Sequence, residues 1–168
     1  MRPDKSSIVI AEDNLNDVFL LKNAFQEAAP QMRINVVGNG EELIGYLQSK
    51  SGGGQSPIPA LVLLDLKMPK VDGFEALQWI RNQPSLKRLL VVVFSSSSET
   101  GQVNRAYDLG ANSYLMKPFD YKELTELLRR LLTYWLDTNL PPTFSPVRTD
   151  STQPFAQDES RSKNERRL

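Results

Sequence analysis

The chain contains neither cysteine nor histidine. Without cysteine there is no disulfide framework, no thiolate nucleophile and no sulfur-ligated metal site. Without histidine, Ser-His-Asp and Cys-His machinery is excluded, and no imidazole can bind a metal. Net charge is lacking too: 20 basic residues cancel 20 acidic ones, so no bulk attraction to nucleic acid or an anionic membrane is expected. Long apolar runs are also missing. The apolar part of "MRPDKSSIVIAED" is too short for a signal peptide or a membrane span, and a cytoplasmic protein is the simplest reading. Any chemistry here must run on carboxylates, lysines, hydroxyls and a hard cation.

What is present is enough for one domain with a real core: 168 residues, 40% hydrophobic and 24% charged. Apolar, β-rich runs predict strands at Ser7–Ala11, Ile34–Gly38, Leu61–Asp65, Leu90–Ser95 and Ser113–Met116. Between them, helical spacing groups Val18, Leu21, Ala24, Phe25 and Ala28; then Leu43, Ile44 and Leu47; then Phe74, Leu77 and Ile80. A weaker fourth helix is expected near Glu99 to Leu109, where Gly101 works against it. Leu124, Leu128, Leu131 and Trp135 mark a fifth, with Asp120 and Glu123 as a capping-box-like start.

Five strands alternating with five helices predict an α/β fold, a doubly wound five-stranded parallel sheet with right-handed crossovers. The third strand is apolar on both faces, as burial between two helical layers requires. "SKSGGGQSPIP" at 49–59 reads as a flexible loop inside the domain, because the alternation resumes after it. The domain is expected over residues 1–140, and the aperiodic, polar stretch 141–168 is expected to be a disordered tail.

In such sheets ligands bind beyond the C-terminal ends of the strands, where the strand order reverses. Strand one ends in Glu12-Asp13, strand three in Asp65, strand four in Ser95 and the serines after it, strand five in Lys117-Pro118. Clustered carboxylates repel one another and call for a cation; Mg²⁺ suits one or two carboxylates plus water and a phosphate. Lys117 and Ser95 remain to hold an anionic group, a set suited to phosphoryl transfer. Asn14 follows the acidic pair and can cap the first helix, which leaves Glu12 and Asp13 free for a metal. Met68-Pro69 and Asp72-Gly73 read as turn chemistry entering the third helix.

With these residues in this order, the chain resembles a response-regulator receiver domain of two-component signalling over roughly residues 6 to 137. The resemblance implies a flavodoxin-like receiver fold and a phosphoacceptor role for Asp65. It implies Mg²⁺ bound directly by Asp13 and Asp65, through water by Glu12, and by the backbone carbonyl of Lys67. Ser95 and Lys117 would contact phosphoryl oxygens, and Tyr114 would be a rotating switch aromatic, moving inward from an outward position. The donor would be a partner histidine kinase, since this chain has no histidine. The Lys117–Pro118 bond is expected to be cis, letting Lys117 point back towards Asp65 while the chain turns into the fifth helix.

"TYWLDTNLP" at 133–141 further resembles the C-terminal end of single-domain regulators paired with bacterial phytochrome histidine kinases, and nothing after it resembles an output domain. The apolar residues of the fifth helix, Leu124, Leu127, Leu128, Leu131, Leu132, Tyr134, Trp135 and Leu136, cover an arc of roughly 200°. Leu132 and Leu136 are therefore expected on an uncovered flank, and a homodimer through helix 4, strand 5 and helix 5 is expected to bury them. The alternative is that the segment folds back within one monomer.

Three rival functions stay open at this level. A flavodoxin-like cofactor carrier would need a phosphate loop where this chain has the acidic "AEDN". A haloacid-dehalogenase-like enzyme would need a general-acid aspartate at position 67, which is lysine. A degenerate receiver acting only as a binding module would lack some of the chemical positions that are filled here.

Overall fold

The computed structural model describes residues 4–51 and 57–142. Most of the expected 141–168 tail therefore lies outside the described residues, as does the glycine run of the 49–59 loop. The elements are β1 (Asp4–Ala11), α1 (Leu15–Ala28), β2 (Arg33–Val37), α2 (Gly40–Ser51), β3 (Pro59–Leu64), α3 (Gly73–Asn82), β4 (Leu90–Ser95), α4 (Thr100–Asp108), β5 (Ser113–Met116) and α5 (Tyr121–Leu132). A π-helical turn, Thr133–Thr138, continues α5. All four strand pairings are parallel, in the order β2-β1-β3-β4-β5. This is the predicted doubly wound α/β sheet.

The alternation of side chains along the inner strands builds two cores. Ile8, Ile10, Leu61, Leu63, Val92 and Phe94 face Leu21, Ala24 and Phe25 of α1 and Leu124, Leu128 and Leu131 of α5. On the other face Val9, Ala11, Val62, Leu64 and Val91 meet α2 and α3 through Leu43, Leu47, Leu77 and Ile80. Each of these large side chains, fully buried, contributes about 1.5–3 kcal/mol. β3 is buried at every position, as its unbroken apolar run requires.

Local signals set the helix ends. Asn14 caps α1, its side chain accepting the N–H groups of Asn16 and Asp17. Asp120 caps α5, accepting from Lys122 and Glu123. The reciprocal capping box belongs instead to α3, between Asp72 and Glu75, within the stretch read as turn chemistry. α4 forms despite Gly101 because tertiary contacts support it. Ala106 is fully buried, and the Arg105 guanidinium stacks 4.1 Å from the centre of the Phe74 ring. Gly110, at φ +91°, ends that helix in the left-handed conformation that glycine adopts freely.

Two expectations are corrected. Leu132 and Leu136 are not on an open flank: they are 7% and 8% exposed and join the core between α1, α5 and the sheet. The π-helical turn brings Leu136 back over the core, and the Lys5 ammonium donates to its carbonyl at 2.9 Å. Leu132 and Leu136 therefore belong to the core of their own chain. Second, no peptide bond among the described residues is cis, the Lys117–Pro118 bond included. The Lys117 N–H continues the β4–β5 ladder by donating to the Ser95 carbonyl at 2.8 Å. From that anchor the four-carbon stem of Lys117 spans the strand ends with the ordinary trans bond, which is the lower-energy isomer.

Candidate functional site

The strand order reverses at β1 and β3, and the ladder between them places the site. Ala11 pairs with Leu64 as the last register position. One residue further, Asp65 N–H donates to the Ala11 carbonyl at 3.0 Å, and Glu12 N–H to the Val37 carbonyl at 3.0 Å. Glu12 and Asp65 thus leave neighbouring strands at the same level. Carboxylate oxygens of Glu12, Asp13 and Asp65 lie within 4.8 Å of one another. Glu12 and Asp65 are buried, whereas Asp13 faces solvent.

Lys117, one residue past β5, answers this charge. Its ammonium lies 2.6 Å from Glu12, 2.9 Å from Asp17 and 3.4 Å from Asp65. Burial pushes the Asp65 carboxyl above its ordinary range, opposed by Lys117 and by backbone hydrogen bonds from Leu66 and Lys67. Burial likewise raises Glu12 against its hydrogen bond to Lys117, and the neighbouring Asp65 charge raises it further. For Lys117 burial alone would lower the pKa, but hydrogen bonds to Glu12 and Asp17 outweigh it and hold the ammonium firmly charged. Three carboxyl groups converging with one ammonium fit a hard divalent cation, which takes oxygen ligands and would relieve the repulsion.

The remaining predicted residues fall around this centre. Lys67 lines the depression above it, beside Ser96, which was not among the expected site residues. Ser95 is fully buried below, its hydroxyl accepting the Ser97 N–H at 3.2 Å. Tyr114 is half-buried rather than outward, and its hydroxyl donates to the Ser97 carbonyl at 2.7 Å. Ser95 and Tyr114 therefore grip the same residue of the β4–α4 loop. Packing of the Tyr114 ring beside Phe74, Val93 and Ala106 is what draws it inward.

Sequence reading missed Asp17 and three exposed apolar side chains, Leu15, Phe19 and Phe119. Asp17 is in the first turn of α1, three residues beyond the Asn14 cap, a position that otherwise reads as helix-dipole chemistry. Its placement at the same helix end as Glu12-Asp13 was the available signal. Leu15 lines the depression, Phe19 follows it one turn along α1, and Phe119, just after Lys117-Pro118, is 99% exposed.

A doubly wound α/β domain with clustered carboxylates and a lysine at its switch point has a donor set that fits a divalent cation. The chain matches the model of the response regulator receiver domain over residues 8–129, and it belongs to that family. It is 37% identical over 139 residues to the probable methanogenesis regulatory protein FilR2 of Methanothrix harundinacea, covering 83% of this chain and 89% of that one. It is similar to the crystal structure of the phosphorylated cyanobacterial phytochrome response regulator RcpA, with 33% identity, a TM-score of 0.74, and coverage of 82% and 99% of the two chains. The Mn²⁺-bound form of response regulator Rcp1 gives 32% identity, a TM-score of 0.71 and the same coverage of 82% and 99%; the Rcp1 sequence is from Synechocystis sp.. The chain is thus a receiver domain of two-component signalling, homologous to phytochrome response regulators, with an acidic pocket of the kind that accepts a phosphoryl group. No helix among the described residues is long and apolar enough to cross a membrane.

Proposed function

We propose that Asp65 accepts a phosphoryl group from a phosphohistidine of a partner sensor kinase of phytochrome type, in a Mg²⁺-dependent reaction in the cytoplasm. The observation that carries this is the convergence of Asp65 with Glu12 and Asp13 within 4.8 Å, with Lys117 at 3.4 Å. An Asp65 carboxylate oxygen attacks phosphorus in line as the phosphorus–nitrogen bond of the donor breaks. The imidazole nitrogen leaves with the electron pair and takes up a proton. Asp13, Asp65 and the Lys67 carbonyl would hold Mg²⁺, with Glu12 acting through water, and the ion would supply charge neutralisation at the phosphoryl oxygens. Lys117 supplies the second positive charge there. Ser95 turns from Ser97 to a phosphoryl oxygen, which loosens the loop that Tyr114 holds from its other side. That shared residue supports Tyr114 as the switch that reports phosphorylation to partners.

Leu15, which lines the depression, and Phe19, one turn further along α1, are large apolar side chains left exposed, and they support docking of a protein donor there. Self-association no longer has Leu132 and Leu136 to rest on. Support for a homodimer through α4, β5 and α5 comes instead from β5 being an edge strand, with Met116 and Tyr107 about half exposed on it and on α4. The chain acts as one receiver unit over residues 1–140, the acyl phosphate forming and hydrolysing on the protein itself.

Incubation with Mg²⁺ and acetyl phosphate, followed by intact mass measurement, tests the site. A labile gain of one phosphoryl group, absent with chelator and in Asp65→Asn, is expected. Equal labelling of Asp65→Asn would refute the assignment.

A further inference from the structure

Lys117 has a competitor for its ammonium that the phosphoacceptor reading does not use. An ammonium offers three N–H donors. Here three carboxylates face it, and the contact to Asp65, at 3.4 Å, is the longest of the three. Glu12 at 2.6 Å and Asp17 at 2.9 Å draw the cation towards α1 and away from the acceptor. Two of these three carboxylates have a second task, because Glu12 and Asp65 share the cluster that fits a divalent ion. Asp17 stands outside that cluster.

The backbone of Asp17 is held in place by the cap of α1. Its backbone N–H donates to the Asn14 side chain at 3.2 Å, fixing the first turn of α1. Its side chain is 35% exposed against 14% for Lys117, so the carboxylate approaches the ammonium from the solvent side. A residue at this point of a helix needs no cation, since the backbone dipole already favours an acid there.

We propose that Asp17 is a positioning residue that holds Lys117 off the phosphoryl site and so sets how readily the domain enters its phosphorylated state. A phosphoryl group on Asp65 needs Lys117 for its added charge, and Asp17 opposes that transfer of the cation. Removing the Asp17 charge releases Lys117 towards the phosphoryl oxygens. The inference rests on the phosphoacceptor reading of Asp65.

Trifluoroberyllate, a stable mimic of the bound phosphoryl group, provides a readout without turnover. Titrations in saturating Mg²⁺, followed by ¹⁹F NMR, compare wild type, Asp17→Asn, Lys117→Met and the double variant. For a partly exposed ion pair, Asp17→Asn is expected to tighten binding by about fivefold. In the Lys117→Met background the same substitution is expected to change affinity by less than about twofold, since the effect runs through the ammonium. An equal gain in both backgrounds would mean simple charge repulsion and overturn the proposal, as would no gain in wild type. Asp17→Ala carries the same expectation should the asparagine variant fold poorly. Failure of the wild type itself to bind trifluoroberyllate would refute the phosphoacceptor reading instead.

Discussion

Replacing Asp65 with asparagine should abolish phosphoryl acceptance and yet stabilise the metal-free protein. The isosteric side chain keeps its volume and an oxygen for the Leu66 N–H, which Asp65 accepts at 2.8 Å. It gives up the attraction to Lys117 at 3.4 Å, roughly 5 kcal/mol at an effective dielectric constant of about 20. It also escapes Glu12 and Asp13. Each brings a carboxylate oxygen within 4.8 Å; the repulsion is roughly 3.5 kcal/mol on the same basis for buried Glu12 and smaller for exposed, screened Asp13. The balance is about 1 kcal/mol in favour of the neutral side chain, and relief of charge burial adds to it. We expect Asp65→Asn to be about 1–2 kcal/mol more stable in urea unfolding at neutral pH with chelator present.

The pH dependence follows with a definite sign. Burial raises the folded-state pKa of Asp65 above its ordinary 3.8, so the folded protein binds the proton more tightly than the unfolded chain. Stability therefore falls as pH rises through the raised value, and the penalty is absent below 3.8. The advantage of Asp65→Asn should accordingly be full at neutral pH and shrink towards pH 3.8. Millimolar Mg²⁺ should also close or reverse the gap, because the proposed site keeps all its ligands only in the wild type, and occupancy at 100 times Kd stabilises by about 2.7 kcal/mol. An Asp65→Asn protein that is less stable than wild type in chelator at neutral pH would refute the view that the carboxylates strain this site.

Four other outcomes are expected. A Cβ at Gly73 would lie 2.2 Å from the Asp65 carbonyl oxygen and 2.7 Å from Leu66 Cα; Gly73→Ala should cost about 2–3 kcal/mol in urea unfolding and slow phosphorylation, since the backbone under Asp65 must shift. Leu136→Ala should cost about 2–3 kcal/mol, a loss that an exposed leucine would not show. Tyr114→Ala should still accept phosphate at Asp65 but lose any phosphorylation-dependent change in partner affinity, and an unchanged affinity ratio would remove the switch role. Sedimentation at tens of micromolar should show a dimer that Met116→Glu converts to monomer; a monomeric wild type, phosphorylated or not, would defeat the interface.

The sequence by itself determined the layered sheet and most of the acidic centre. Strand periodicity says which face each residue takes, and a parallel sheet puts every strand's C-terminal end on one rim, so Glu12, Asp13, Asp65 and Lys117 could be gathered from local signals alone. Asn14 and Asp120 were equally legible, because capping is decided within one helical turn. What required the tertiary structure was every question of what lies opposite. Asp17 meets Lys117 across 100 residues of sequence, and its place beside Glu12-Asp13 at the start of α1 hints at the site but not at the partner. Leu132 and Leu136 belong to an apolar arc wide enough for a partner, but the π-helical turn and the packing of α5 on α1 spend that width inside the monomer. The trans bond before Pro118, the hydroxyl of Ser95 turned to Ser97 and the half-buried Tyr114 were likewise settled by neighbouring strands, helices and the β4–α4 loop. Periodicity fixes a side chain's direction relative to its own element; only the packed chain decides which charge, ring or backbone group occupies the space it points into.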